Sequence, residues 1–222
     1  EKGDAIMQFL EFVLNFIYPP QCGVCGKIGS CLCKKCEIEL EKIHIAENRK
    51  NTDLQKYYDE VFYHFSYTGI IRDKIIAYKF LNQSYLFEMF VKIMLKKKKT
   101  FGFFEKYDII IPVPISRKRL YERGYNQSEL IAKKISNCLS IKMEKNVLIK
   151  VKDNIPQSNL DKKTRKENVK DVYEIRNAGI IKNKKILLID DIYTTGSTVN
   201  ECSRILKENG AKYIGVMTIA KD

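Results

Sequence analysis

The chain has 222 residues, 45% of them hydrophobic and 30% charged, with 7 cysteines, 5 prolines and no tryptophan. That apolar share supports a buried core and excludes a disordered or collagen-like chain, and no run reaches the ~20 apolar residues of a membrane span. Lys and Arg number 40 against 27 Asp and Glu, a formal +13. Residues 1–50 are neutral, so the whole surplus lies in 51–222, where it attracts phosphate-rich partners, a polyphosphorylated small molecule or nucleic acid.

In chain order, Ile6, Phe9, Leu10, Val13, Leu14 and Ile17 recur at helical spacing, and Pro19-Pro20 stops the helix. Gln8, Glu11 and Asn15 interrupt its apolar run, and it has neither a basic n-region nor a small-residue cleavage site. It therefore reads as a helix packed on its own protein, not a signal peptide, and the expected setting is cytoplasmic. Met7 is a candidate start, which leaves residues 1–6 outside the native chain.

Cys22-Gly-Val-Cys25 and Cys33-Lys-Lys-Cys36 form two Cys-x-x-Cys knuckles separated by seven residues. Four thiolates so spaced can converge tetrahedrally on Zn²⁺, and with every position filled by protein the metal is structural. Gly23 and Gly26 ease the tight turns. An odd cysteine count without a secretory signal argues against disulfides. Cys31 competes with Cys33 as third ligand, although only Cys33 completes the spacing. His44 lies too far beyond Cys36 to join and is expected at the surface. Cys138 and Cys202 fall on apolar helix faces and read as core thiols. The expected division is a helix and zinc ribbon over 1–50 and a larger domain over 51–222.

From residue 61 strands alternate with helices. Val61–Phe65 reads as a strand in which His64 has no evident partner. Ile70–Phe80 and Tyr85–Leu95 read as helices, the second ending at Lys96–Lys99, where cations suit the negative end of the dipole. Asp108–Pro114 is a buried strand. Asn126 caps a helix with Leu130, Ile131, Ile135 and Leu139 on its apolar face. A strand over Lys184–Ile189, a helix over Ser197–Asn209 ended by Gly210, and a strand over Tyr213–Ile219 follow. The pattern predicts an α/β fold with a doubly wound, mostly parallel sheet, whose ligands bind beyond the carboxyl ends of the strands.

There stands Asp190-Asp191-Ile-Tyr-Thr-Thr-Gly-Ser-Thr198. Paired carboxylates at a strand end need donors such as sugar hydroxyls or a metal ion. Thr194, Thr195, Gly196, Ser197 and Thr198 offer hydroxyls and N–H groups at a helix N-terminus, as a phosphate requires. Together they describe a ribose-phosphate site. Neither a P-loop nor a Gly-x-Gly-x-x-Gly run occurs.

This stretch resembles the PRPP-binding signature of type I phosphoribosyltransferases. The four-cysteine ribbon, Tyr78-Lys79, Pro112-Val-Pro114, Arg123-Gly-Tyr-Asn-Gln127, Gln157-Ser-Asn-Leu160, Arg165 and Asn168-Val169 resemble the ComF family of DNA-uptake (competence) proteins and its GntX-like relatives. The resemblance implies that Asp190 and Asp191 hold the ribose hydroxyls, with Mg²⁺ bridging to pyrophosphate, and that Thr194–Thr198 cradle the 5′-phosphate. Arg117, Arg119 and Arg123 would face pyrophosphate, with Lys79 and Arg165 also binding PRPP. Guanidinium forks suit phosphate oxygens. Residues 152–170, with Lys162, Lys163, Arg165 and Lys166, correspond to a loop that closes over PRPP. The implied role is handling single-stranded DNA during uptake, with a helicase as partner at the inner face of the membrane. Two other readings stand beside it: a working transferase with an unidentified nitrogenous acceptor, and a PRPP-sensing regulatory or docking protein.

Overall fold

The structure, a computed structural model, describes residues 19–152 and 172–222. The helix expected over 6–17 lies outside them, as do Lys162, Lys163, Arg165 and Lys166. Eight strands are present among the described residues: β1 (Glu47–Lys50), β2 (Glu60–Ser66), β3 (Ile109–Pro112), β4 (Lys142–Met143), β5 (Leu148–Lys150), β6 (Tyr173–Ile175), β7 (Lys185–Tyr193) and β8 (Tyr213–Lys221). The helices are α1 (Lys34–Lys42), α2 (Gly69–Phe80), α3 (Leu86–Met94), α4 (Lys98–Phe104), α5 (Arg117–Arg123), α6 (Gln127–Leu139) and α7 (Ser197–Glu208). The main sheet has the order β1-β2-β8-β7-β3-β4. Only its β1–β2 pair is antiparallel, and β5 and β6 form a separate antiparallel ribbon. Among the described residues no helix is long and apolar enough to cross a membrane.

Alternation along the central strand sorts its side chains between two cores. Leu187 and Ile189 face the layer of α2, α3, α4 and α6, whereas Ile186 and Leu188 face α7 and the β5–β6 ribbon. Strands covered on both faces read as continuous apolar runs, which is why Ile109–Ile111 and Ile186–Ile189 are legible in sequence. After β3 the chain leaves for β4; after β7 it leaves for β8, on the other side. The two neighbours therefore diverge at a topological switch point, where a crevice opens at their carboxyl ends.

Several expectations are corrected. His44 is buried, and its Nε2 lies 2.9 Å from Nδ1 of buried His64, so each is the other's partner. Burial holds the His44 imidazole down to about 4 and that of His64 well below its ordinary range. The pair stacks beside Phe65 and Phe62, and its 20-residue separation hid it from the sequence. Cys138 is exposed: the buried face of α6 runs through Ser128, Ile131, Ala132 and Ile135, and Cys138 sits on its flank in the last turn, near an edge strand only two residues long. Cys202 is buried as expected. Helix α3 ends at Met94, and Lys97 is the extended residue that opens α4, so the lysine run ends no helix and instead leads into the next one. Lys96 instead pairs with Glu37 at 2.7 Å and with Glu41, both on α1, and Lys97 Nζ donates to the His44 carbonyl.

Candidate functional site

The cysteine unit is built first in the chain. Gln21 and Ile28 bridge to close the first knuckle. Cys33 opens α1 and Cys36 lies in its first turn. The ligand atoms of Cys22, Cys25, Cys33 and Cys36 all lie within 4.8 Å of one another. Cys31 is outside the group, so Cys33 supplies the third thiol. Cys25 and Cys33 are 3.7 Å apart, Sγ to Sγ, close to the ~3.8 Å edge of a tetrahedron with 2.3 Å metal–sulfur bonds. Burial opposes ionisation of Cys22, yet N–H groups of Cys25, Cys33 and Val24 bring its thiol down to about 6. Burial and three neighbouring thiols push Cys36 up. Such crowding is what a dication relieves, and the donor set fits structural zinc.

The unit is seated directly on α3. A Cβ on Gly23 would lie 2.7 Å from Leu86 Cδ2 and 2.8 Å from Met89 Sδ, so only glycine permits this approach. Cys22, Leu32, Cys36 and Leu40 join the same core as Leu86, Met89 and Phe90, and Lys92 Nζ donates to the Leu32 carbonyl at 3.0 Å.

At the switch point β7 outruns β3. The pairing of β3 ends at Pro112 opposite Ile189, while β7 stays paired with β8 through Tyr193. Asp190 and Asp191 therefore lie within the strand, not after it, in the stretch that overhangs β3. Alternation slips there, since Ile189 and Ile192, three apart, reach the same core. The slip leaves both carboxylates half-buried in the crevice. Asp191 pairs with Lys79 Nζ at 2.9 Å. Asp190 accepts from Ser128 Oγ at 3.2 Å and from the Asp191 N–H at 2.9 Å. Burial, then the charge of Asp191, raise its carboxyl to about 7.

The loop beyond is held from below. Gly196 has φ +74°, and a Cβ there would meet Tyr193 Oη at 2.5 Å. Tyr193 Oη is fixed by Tyr58 Oη at 2.6 Å and Lys56 Nζ at 3.1 Å, and the Tyr57 N–H donates to Asn200 Oδ1 at 2.8 Å. Thr195 Oγ1 and Ser197 Oγ are 2.8 Å apart, and the Ser197 N–H donates to Thr195 Oγ1 at 3.3 Å. Thr194 and Thr195 are exposed, Ser197 and Thr198 half-exposed. Gly196→Ala combines the left-handed backbone cost with a clash against a braced ring, and should destabilise the fold by about 2 kcal/mol or more. Urea unfolding reads that change, and a variant as stable as the parent would show that the tyrosine yields.

The three arginines lie on α5, where the sequence predicts a loop. Ser116 caps α5 by accepting from the Arg119 N–H, and left-handed Gly124 ends it. Arg119 and Arg123 line a cavity of about 610 Å³ with Lys79, Phe80, Asn82, Glu122 and Gly124. Arg123 Nη1 donates to Gln127 Oε1 at 3.1 Å. Arg117 lies across α5 in a second cavity of about 710 Å³ with Lys145, Lys152 and Arg176. Structure thus joins Lys79 to Asp191, places Arg119 and Arg123 beside Lys79, and sets Arg117 apart. Arg165 lies outside the described residues. Ser128, Tyr193, Tyr58 and Phe80 escaped the sequence reading. Ser128 and Tyr193 lie in or beside the motifs themselves, whereas Tyr58 and Phe80 carry no sequence signal.

The family model "Phosphoribosyl transferase domain" matches residues 126–222, from the cap of α6 to the end of β8. Competence protein F of Haemophilus influenzae is 28% identical over 91% of this chain and 85% of its own length. Competence protein ComFC of Bacillus subtilis is 26% identical over 85% of this chain and 72% of its own. Over most of its length the chain is similar to these ComF-type competence proteins. Adenine phosphoribosyltransferase of Saccharomyces cerevisiae is 15% identical, with a TM-score of 0.41, covering 82% of this chain and 88% of that one. The chain thus has a phosphoribosyltransferase domain in its mostly parallel sheet, with a four-cysteine unit at its front.

Proposed function

We propose that this protein is a member of the ComF family and acts in DNA uptake, binding PRPP with Mg²⁺ at the β7 crevice and handling single-stranded DNA. The observation that carries the reading is the overhang of β7, which sets two half-buried carboxylates immediately before a glycine loop and a helix N-terminus. Asp190 and Asp191 hold the ribose hydroxyls, and the Thr194–Thr198 loop holds the 5′-phosphate through N–H groups and hydroxyls. Lys79, Arg119 and Arg123 face pyrophosphate. Mg²⁺ bound with PRPP would neutralise pyrophosphate charge beside the paired acids. The competence names of the relatives and the +13 charge support the DNA role. A helicase acting on the same strand is the expected protein partner.

Fluorescence anisotropy of a labelled single strand, in a salt series with and without Mg–PRPP, tests the reading. Binding should weaken steeply with salt and change several-fold on adding Mg–PRPP, because linked sites alter each other's affinity reciprocally. Absence of binding at low salt would remove the DNA role and turn attention to an acceptor, with pyrophosphate release as readout.

A further inference from the structure

The turn joining α2 to α3 leaves large apolar side chains in water: Phe80 at 65% exposure, Leu81 at 63% and Tyr85 at 46%. Grouped exposure of this kind marks a surface that meets something. The Phe80 ring lies 5.0 Å from the Arg123 guanidinium and walls the 610 Å³ cavity together with Lys79, Asn82, Arg119 and Glu122. That volume is within the ~300–1,000 Å³ of ligand sites. Three cations there face one acid. Helix α5 carries Arg117, Lys118, Arg119 and Arg123 within seven residues, and its Tyr121 is 93% exposed.

Charge and shape decide the occupant. A cationic rim complements a polyanion, and an aromatic wall backed by a guanidinium complements a flat ring. An unstacked strand presents both, a base face and a phosphate, at every nucleotide. A duplex hides its base faces, so it would use the cations and leave Phe80 idle. We infer that this cavity seats a nucleotide of single-stranded nucleic acid, with its base on Phe80 and its phosphates toward Arg119 and the outer cations of α5, so that strand and pyrophosphate compete for Arg119. The inference rests on the strand-handling reading above and adds where the strand is held. Lys79 lines this cavity while pairing with Asp191, so one side chain borders both the strand and the carboxylate crevice.

The test is anisotropy of fluorescein-labelled dT20 with the parent protein, Phe80→Ala, Phe80→Trp and Arg119→Gln, plus an abasic strand of equal length. Phe80→Ala should weaken dT20 binding about 5- to 100-fold without changing the salt slope, as a lost stack does. Phe80→Trp should retain or tighten binding. Arg119→Gln should lower the slope by about one. The abasic strand should bind the parent weakly and lose nothing further with Phe80→Ala. Since Phe80 is exposed, thermal melting of Phe80→Ala should match the parent. If the parent binds dT20 and Phe80→Ala binds it equally well, the platform is overturned while the DNA role stands. If the parent binds no strand, the DNA role falls and the platform with it. Thymidine monophosphate competing as tightly as dT20 would make the cavity a site for a free nucleotide and overturn the strand assignment.

Discussion

Calorimetry of Mg–PRPP against the Asp190→Asn, Asp191→Asn double variant should give no binding heat, whereas the parent protein gives a saturable isotherm. The carboxylates do not merely decorate a turn. They occupy the part of β7 that extends past β3, and neither is neutralised twice: Asp191 has Lys79 at 2.9 Å, and Asp190 has a hydroxyl and one N–H. Such a pair is retained at a cost to the free protein, because two adjacent acids repel and burial disfavours charge. Undiminished binding in the double variant would refute the site assignment.

The single variants should separate in stability. Asp190→Asn keeps the acceptor for Ser128 and removes the repulsion, so at pH 8 it should be more stable than the parent by about 1–3 kcal/mol. Asp191→Asn strips Lys79 of its counter-charge and should be neutral or destabilising. The sign with pH follows from a folded carboxyl raised from 3.8 to about 7. Below pH 4 both folded and unfolded chains hold the proton and the Asp190→Asn advantage vanishes. It grows as pH rises from 4 to 7, where only the unfolded chain has lost the proton, and is level above. Urea midpoints at pH 4, 6 and 8 measure it.

The second large effect belongs to the cysteines. Fresh, reduced protein should contain one zinc per chain; Cys22→Ser and Cys33→Ser should lose it, and Cys31→Ser should keep it. Structural zinc supplies an apparent ~10–16 kcal/mol in isolated modules. Here the unit shares a core with α3 through Cys22, Leu32, Cys36 and Leu40. Even ~3–5 kcal/mol lost would lower the melting midpoint by roughly 10 °C in a domain of this size. Elemental analysis without metal would reject the site; metal loss with unchanged melting would show that the knuckles fold without help.

Much of the fold was legible because buried parallel strands must be apolar on both faces. Ile109–Ile111, Ile186–Ile189 and Tyr213–Ile219 announced themselves, and helices between them implied a doubly wound sheet. The cysteine spacing and the Asp-Asp…Thr-Thr-Gly-Ser-Thr run were legible because their chemistry is local: ligands two residues apart, a loop directly before a helix. Short elements were not. β1, β4 and the β5–β6 ribbon have two to four residues each, too few for periodicity, and α5 has seven residues and no buried face.

Sequence alone determined that this chain carries two Cys-x-x-Cys knuckles, paired acids before a Thr-Thr-Gly-Ser-Thr loop and an excess of cations. Tertiary structure decided what those parts touch. It chose Cys33 over Cys31, turned His44 inward onto His64, drew Lys79 onto Asp191, braced the Gly196 loop with Tyr193 and Tyr58, and left Phe80 bare beside Arg123. Each of these pairings spans residues from different elements, brought together only when the sheet stacks its strands and both cores close, and no local pattern encodes a contact of that kind.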